Sequence, residues 1–320
     1  MERKIRISIV IPAYNVEGYI KKTIDSCLNQ TFDDYEIIVV DDGSKDNTGA
    51  IIDKYATENR NFRAIHQENG GVMSARLKGV EHSQGEWITF LDGDDRLPKD
   101  SLKTLYSYVG NDIDIVWGVR AYVNDNNDIS KREKIRFRGK INGEEYMKII
   151  SKNPKSLHGM LFSKALFIDP PIIDRRIVNN EDQIFNFFLS SRVRNVFGIA
   201  QVTHHYLIRS DSVSKKKYNE EYWYLLLEYL YDNYKKYNIE SKYYNLFALV
   251  KAFSLIRSKE NYNFDFSTPC FVRLRELNYT SFWGLRGNFS LIVIKHPFNC
   301  LINISRVYPK MIIQSMRYKL

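Results

Sequence analysis

A chain of 320 residues with 44% hydrophobic content is long enough for one large domain or two modest ones, and too apolar for disorder to be its main state. The formal charge is +9, but Lys215 to Leu320 carries 17 basic and 8 acidic residues, so the whole excess sits in the last third. Three cysteines, Cys27, Cys270 and Cys300, are odd in number and far apart, which argues against a disulfide framework or a thiolate metal site and fits a reducing cytoplasm. The opening basic residues precede an apolar run too short for a signal peptide, and no stretch of about 18 uncharged apolar residues predicts a transmembrane helix.

Short apolar runs alternate with amphipathic segments through the first 120 residues, the pattern of an α/β fold with a mostly parallel central sheet flanked by helices. Ile5 to Ile11 is the first predicted strand. Ile20, Ile24, Cys27 and Leu28 follow at helical spacing, one stripe for packing on the sheet. Further strands are predicted at Tyr35 to Val40, Phe62 to His66, Trp87 to Leu91 and Ile113 to Trp117, all rich in Ile, Val or aromatic residues. Asp100 or Ser101 is positioned to cap a helix carrying Leu102, Leu105, Tyr106 and Val109. Beyond residue 118 a polar loop, Asn124 to Lys134, leads into short mixed elements up to Ser214. From Tyr222 onward Trp223, Leu226, Leu227, Leu230, Tyr231 and Tyr234 repeat at three and four, as do Leu246, Leu249, Val250, Phe253 and Ile256, which predicts a helical module. The expected organisation is therefore a catalytic domain over 1–214 and a helical, basic C-terminal module over 215–320.

In such sheets ligands gather outside the carboxyl ends of the strands. Strand one runs into Pro12-Ala13-Tyr14-Asn15, strand two into Asp41-Asp42-Gly43-Ser44, and strand four into Asp92-Gly93-Asp94-Asp95. Hard ions such as Mg²⁺ and Mn²⁺ take oxygen ligands, often one or two carboxylates plus substrate phosphates. Residues two apart at a strand end point the same way, so Asp92 and Asp94 can face one ligand while Gly93 lets the backbone bend closely. An acidic turn is the plainer explanation, but clustered carboxylates repel one another unless a cation or ligand compensates.

Ser8-Ile9-Val10-Ile11-Pro12-Ala13-Tyr14-Asn15, Val40-Asp41-Asp42-Gly43-Ser44, Asn69-Gly70-Gly71 and Phe90-Leu91-Asp92-Gly93-Asp94-Asp95, followed by Asn180-Glu181-Asp182, closely resemble family 2 glycosyltransferases. The resemblance covers roughly residues 5 to 214. It implies a GT-A fold, a Mn²⁺- or Mg²⁺-dependent inverting transfer, and a UDP-sugar donor. It sets Pro12, Ala13 and Tyr14 beside the nucleobase, with Glu17 at the start of the next helix, and makes Asp42, with Asp41 as its rival, the acceptor for the uracil imide. Asn69 and Gly70 open a helix whose Arg76 faces the nucleotide. Asp92 and Gly93 reach the ribose side, Asp94 binds the metal together with Asp92, and Asp95 supports the cluster. Asp182 matches the general base, with Glu181 as its neighbour and rival. In Thr203 to Ser214, which resembles a segment closing over the pyrophosphate, Arg209 and Ser212 are phosphate partners, and His205 or His204 completes the metal shell. His158 lines the acceptor side.

The same motifs weigh against other classes. No glycine-rich loop ending in Lys-Ser or Lys-Thr and no dinucleotide fingerprint occurs, although a nucleotidyltransferase acting on sugar phosphates also joins an α/β sheet to metal-binding aspartates. A non-enzymatic basic binding module is the other alternative, and nucleic acid is not an expected partner because the tyrosines fall at helical core spacing. From Leu277 onward there are six Lys or Arg and no acid, interleaved with Phe289, Leu291, Ile292, Val293 and Ile294. That composition suits docking on the inner face of the cell membrane, near a lipid-linked acceptor, and equally suits a bundle that makes a homodimer. A glycan on a surface glycoprotein is the second acceptor class.

Overall fold

Ile7–Ala13 forms β1, the buried centre of the sheet, and every one of its residues is buried. A computed structural model describes residues 4–209, 218–244, 247–248 and 250–251. The helix α1 (Ile20–Leu28) buries Ile20, Thr23, Ile24 and Cys27, the expected stripe with Thr23 added and Leu28 only partly buried. β2 (Tyr35–Asp41), α2 (Thr48–Glu58), β3 (Phe62–His66), α3 (Val72–Glu81), β4 (Trp87–Phe90) and α4 (Ser101–Tyr106) complete the alternation. Then come β5 (Ile115–Val123), β6 (Ile129–Arg132), β7 (Gly139–Asn142), α5 (Gly143–Lys152), β8 (Met160–Ser163), α6 (Glu181–Leu189) and β9 (Asn195–Leu207).

The strands form one sheet in the order β3-β2-β1-β4-β8-β5-β9-β7, with β6 added beside β5. β3, β2, β1 and β4 are mutually parallel, whereas β8 runs antiparallel to both β4 and β5. Parallel pairing returns between β5 and β9, but it is in the first half that helices cover buried strands on both faces and the sequence reads as continuous apolar runs. The core packs α1 against this half, with Ile9, Ile11, Ile24, Ile37 and Val39 all fully buried.

Several boundaries differ from expectation for local reasons. β1 extends through Pro12 and Ala13, opposite Val40 and Asp41 of β2. Pro12 has no N–H to give, but its nitrogen faces the β4 side, and pairing with β4 has already ended at Val10 opposite Phe90. The expected polar loop Asn124 to Lys134 contains β6, whose four residues are all exposed and so show no apolar alternation. β5 runs on to Val123 rather than ending at Trp117 because β9 pairs with it over that length. α4 stops at Tyr106, and Asp100 at its N-cap accepts from Thr31 Oγ1 rather than from the helix amides. Thr203 to Leu207, expected within a closing segment, lies in the strand β9.

By its contacts the chain divides into two units, Met1–Ile150 with Pro154–Lys216, and Ser151–Asn153 with Lys217–Leu320. In the second, α7 (Glu220–Asn233) is capped by Asn219, whose side chain accepts from Tyr222 N, and the rings of Tyr234 and Tyr244 stack at 4.3 Å. Leu226, Leu227 and Leu230 are buried on α7. The predicted helix through Phe253 and Ile256 and the basic stretch beyond Leu277 lie outside the described residues.

Candidate active site

The loop after β4 carries the acidic cluster. One ligand oxygen from each of Asp92, Asp94 and Asp95 lies within 4.8 Å of the others. Gly93 sits among them with little spare room: a Cβ there would lie 3.1 Å from Val16 and 3.3 Å from Pro12 O. Each carboxylate has a different environment. Asp92 Oδ1 accepts from Arg76 Nη2 at 2.7 Å, and its Oδ2 lies 3.0 Å from His158 Nε2. Although burial opposes ionisation, His158 and Arg76 hold Asp92 well below the usual carboxylate range. Asp94 Oδ2 pairs with Arg209 Nη2 at 2.8 Å, and that guanidinium lies 4.5 Å over the Tyr19 ring. Burial, then the neighbouring Asp95 and Asp92, push Asp94 up to about 7.

Asp95 faces inward. It accepts from Leu207 N at 2.9 Å and meets His204 Nε2 at 2.7 Å, with both side chains essentially without exposure. Burial and then Asp92 push Asp95 up to about 7, while burial and the adjacent His158 hold His204 well below its ordinary value. His158 and His204 are 5.0 Å apart, centroid to centroid, yet their pKa values are driven in opposite directions. Asp92 raises the first against the cost of burial, whereas burial and His158 lower the second. The set fits a hard divalent cation on its own chemistry. Its donors are oxygens, and a carboxyl held near neutral pH by burial and like charges is one that an added cation would ionise.

The ends of β1 and β2 build a second wall. Asp42, buried, accepts from Gln67 Nε2 (2.7 Å) and Gly70 N (2.8 Å) at Oδ1 and from Gly71 N (2.9 Å) at Oδ2. Gly71 is the N-cap of α3 with φ of 89°, a conformation that favours glycine. Asp41 points elsewhere: it accepts from Ser44 N and meets His66 Nδ1 at 3.1 Å, and His66 Nε2 in turn meets Asp53. Asp53 first, and Asp41, raise the His66 imidazole pKa against partial burial. Tyr14 is 48% exposed at the end of β1, Pro12 and Ala13 are buried in it, and Asn69 is exposed. Glu17 binds the start of α2, its Oε2 accepting from Asn47 N and Nδ2 at 2.8 Å each.

Across the cluster, α6 begins at Glu181 after Asn180 in the left-handed conformation, φ 69°. Glu181 Oε1 lies 3.7 Å from Arg76 Nη1, so Arg76 links the β4 motif to this helix. Burial and then Asp182 push Glu181 up to about 7. Asp182 Oδ1 accepts from Gln183 N in the same first turn.

The structure therefore brings Arg76, Asp92, Asp94, Asp95, His158, Glu181 and Arg209 together. It turns His205 away: on β9, side chains alternate, and His204 is the one directed at Asp95. The backbone of His205 instead pairs with Arg96, and burial followed by His204, Arg96 and Arg132 lowers its pKa. Ser212 lies outside the described residues. Tyr19 and Gln67 escaped sequence reasoning because neither stands in a motif. A period-two count along residues 198–207 would have separated His204 from His205, had that strand been recognised.

Residues 8–168, half of the chain, match the family described as Glycosyl transferase family 2. EpsH of Bacillus subtilis is 29% identical over 227 residues, covering 66% of this chain and 63% of that protein. The glycosyltransferase GlyG of Streptococcus pneumoniae is 41% identical over 114 residues, covering 35% of this chain and 38% of that protein. The chain thus spans less than two thirds of the length of these relatives. The crystal structure of S. aureus TarS 1-349 in complex with UDP-GlcNAc is similar in fold, with a TM-score of 0.62 at 18% identity over 91% of this chain and 79% of that one.

Proposed function

This chain belongs to glycosyl transferase family 2, and from that premise we propose that it moves a hexose or N-acetylhexosamine from a UDP-sugar to a hydroxyl of a cell-surface glycan precursor. The observation that carries the proposal is the acidic cluster itself: three carboxylates within 4.8 Å, at the carboxyl edge of parallel strands, two of them pushed up to about 7. Asp92 and Asp94 would hold a Mn²⁺ or Mg²⁺ ion, whose chemistry is to balance charge on the departing diphosphate. Arg209, beside Asp94, is placed to meet a phosphate once nucleotide enters. Asp42 retains accepting capacity at Oδ2, which bears a single hydrogen bond, and a carboxylate suits the uracil imide N–H.

In this scheme Asp182 takes the proton of the acceptor hydroxyl as it attacks the anomeric carbon opposite the leaving diphosphate, so the configuration inverts. Glu181, tied to Arg76, acts by fixing the start of α6. The TarS complex with UDP-GlcNAc supports a UDP donor for the same fold. A lipid-linked capsule or wall polysaccharide intermediate is the acceptor we favour, a protein-attached glycan the second, and the inner face of the membrane the working place. Among the described residues no helix is long and apolar enough to cross a membrane. Sedimentation with anionic liposomes, before and after truncation beyond Glu276, tests peripheral binding. Hydrolysis of UDP-, GDP- and dTDP-sugars with Mn²⁺ and with chelator tests the reaction: turnover confined to UDP-sugars and lost to chelator is expected, and turnover indifferent to chelator removes the metal.

A further inference from the structure

Beside the acidic cluster, the same face of the β5–β9 pair carries a partly buried polar cluster that the reaction above does not use. Arg120 stands opposite His204, and Tyr122 opposite Tyr206, in the parallel register. Arg120 Nη2 donates to Glu133 Oε1 at 2.6 Å, and Lys155 Nζ lies 3.2 Å from the same oxygen. Arg120 Nη1 reaches Ser156 Oγ at 3.3 Å. The guanidinium carbon is 5.3 Å from the centre of each of the Tyr122 and Tyr206 rings. Arg120, Glu133 and Lys155 are each only 15–17% exposed.

Arg120 and Lys155 share the Glu133 carboxylate, Asp95 adds an attractive field at Arg120, and a third cation, the exposed Arg136, adds a repulsive one at Lys155, so three cations face two carboxyl groups. Buried Arg120 Nε has no hydrogen-bond partner among the described residues. An internal ion pair kept only for stability would be balanced, because uncompensated buried charge is costly. A surplus of donors in a partly buried cluster flanked by two tyrosine rings instead matches an anionic group on a sugar: the guanidinium and ammonium meet the anion, the rings meet the sugar face. Tyr206 is two residues along β9 from His204, about 7 Å at strand rise, a span that one sugar ring bridges from the acidic cluster.

We propose that Arg120 and Lys155, with Tyr122 and Tyr206, form an acceptor subsite that selects a glycan bearing a carboxylate or a phosphate ester next to the reacting sugar. The subsite rests on the glycosyltransfer proposed above. The test is titration of the full chain, saturated with UDP and Mn²⁺, with methyl β-D-glucuronide, D-glucose 6-phosphate and methyl β-D-glucoside, followed by ligand-observed NMR. At least one acidic probe should bind about ten-fold more tightly than the neutral glucoside, the equivalent of one charge-assisted hydrogen bond. The tighter of the two acidic probes identifies the group as carboxylate or phosphate. Lys155→Gln should abolish the preference without altering glucoside binding, and Lys155→Arg should keep it; Arg120→Gln serves if Lys155→Gln melts early. Equal affinity for acidic and neutral probes, or a preference that survives Lys155→Gln in folded protein, overturns the subsite. If UDP-sugar is turned over while the probes are not distinguished, the subsite alone fails; if no nucleotide sugar is turned over, the glycosyltransfer beneath it fails.

Discussion

Arg76 and Asp92 meet at 2.7 Å, Nη2 to Oδ1, with only 2% of the arginine side chain exposed. The contact joins α3 to the loop after β4, and the other guanidinium nitrogen reaches toward Glu181 on α6. Asp92 keeps its charge through His158 and this arginine, despite burial. One cation therefore holds together the elements that present the donor side and those that present the proposed base.

Removing that cation leaves Glu181, 13% exposed, and Asp92, 29% exposed, without their shared partner. Arg76→Met should lower stability by about 3–5 kcal/mol, the cost of stripping one partner from a buried ion pair. Arg76→Lys should lower it less, since it keeps the charge but loses the planar fork. Urea denaturation followed by circular dichroism measures both, and an unchanged midpoint for Arg76→Met would show that the pair is not needed for the fold.

The two acids at the start of α6 separate by kinetics. Asp182→Asn should bind UDP-sugar normally while losing about 10²–10⁴-fold in transfer rate, the range for a missing general base. Glu181→Gln should lose less, and its deficit relative to wild type should shrink at low pH, because neutral Gln resembles the protonated Glu181 favoured below about 7. Single-turnover transfer with the nucleotide prebound decides. Reversed ranking would make Glu181 the base.

The half of the candidate site built on β1, β2 and β4 was largely legible in the sequence, and the half built on β5 and β9 was not, for a physical reason. β1, β2 and β4 are buried on both faces, so they read as unbroken apolar runs with their polar loops at the ends. β9 is thirteen residues of mixed polarity with Thr203, His204 and His205 toward its C-terminal end, and it reads as short mixed elements rather than one strand. Its role depends on long-range pairing with β5, which no local pattern encodes. The parity that sends His204 rather than His205 to Asp95 follows from that pairing. Asp41 and Asp42 pose the same problem: adjacent and chemically alike, they diverge because one completes β2 and turns to His66 while the other collects amides from the start of α3.

The raised carboxyls set a pH dependence of stability. Asp94, Asp95 and Glu181 all stand at about 7 in the folded protein, above the ordinary values of 3.8 and 4.5. Between those limits the folded state holds protons that the unfolded state has released, so stability falls as pH rises from about 4 to 7 and then levels. Paired carboxylates would give the opposite slope. Melting temperatures across this range, without nucleotide or divalent ion, should show the fall, and Mn²⁺ with UDP should reduce it; a rise with pH would mean that these three groups are ionised in the folded protein.

Asp94→Asn should act in two directions at once. At pH 8 the wild-type carboxylate is charged against burial and against Asp95 and Asp92, so the neutral amide should raise the melting temperature of the nucleotide-free protein. At pH 4 Asp94 is protonated and the gain should shrink. The loss of its Arg209 partner at 2.8 Å works against this gain, but the upward displacement of the Asp94 pKa shows that repulsion and burial outweigh that pairing. The same substitution should remove the Mn²⁺-induced rise in melting temperature, because it deletes a charged oxygen ligand from a cluster of three. An acidic turn with no ion to hold would show the pH-dependent gain and, in wild type and variant alike, no response to Mn²⁺ at all.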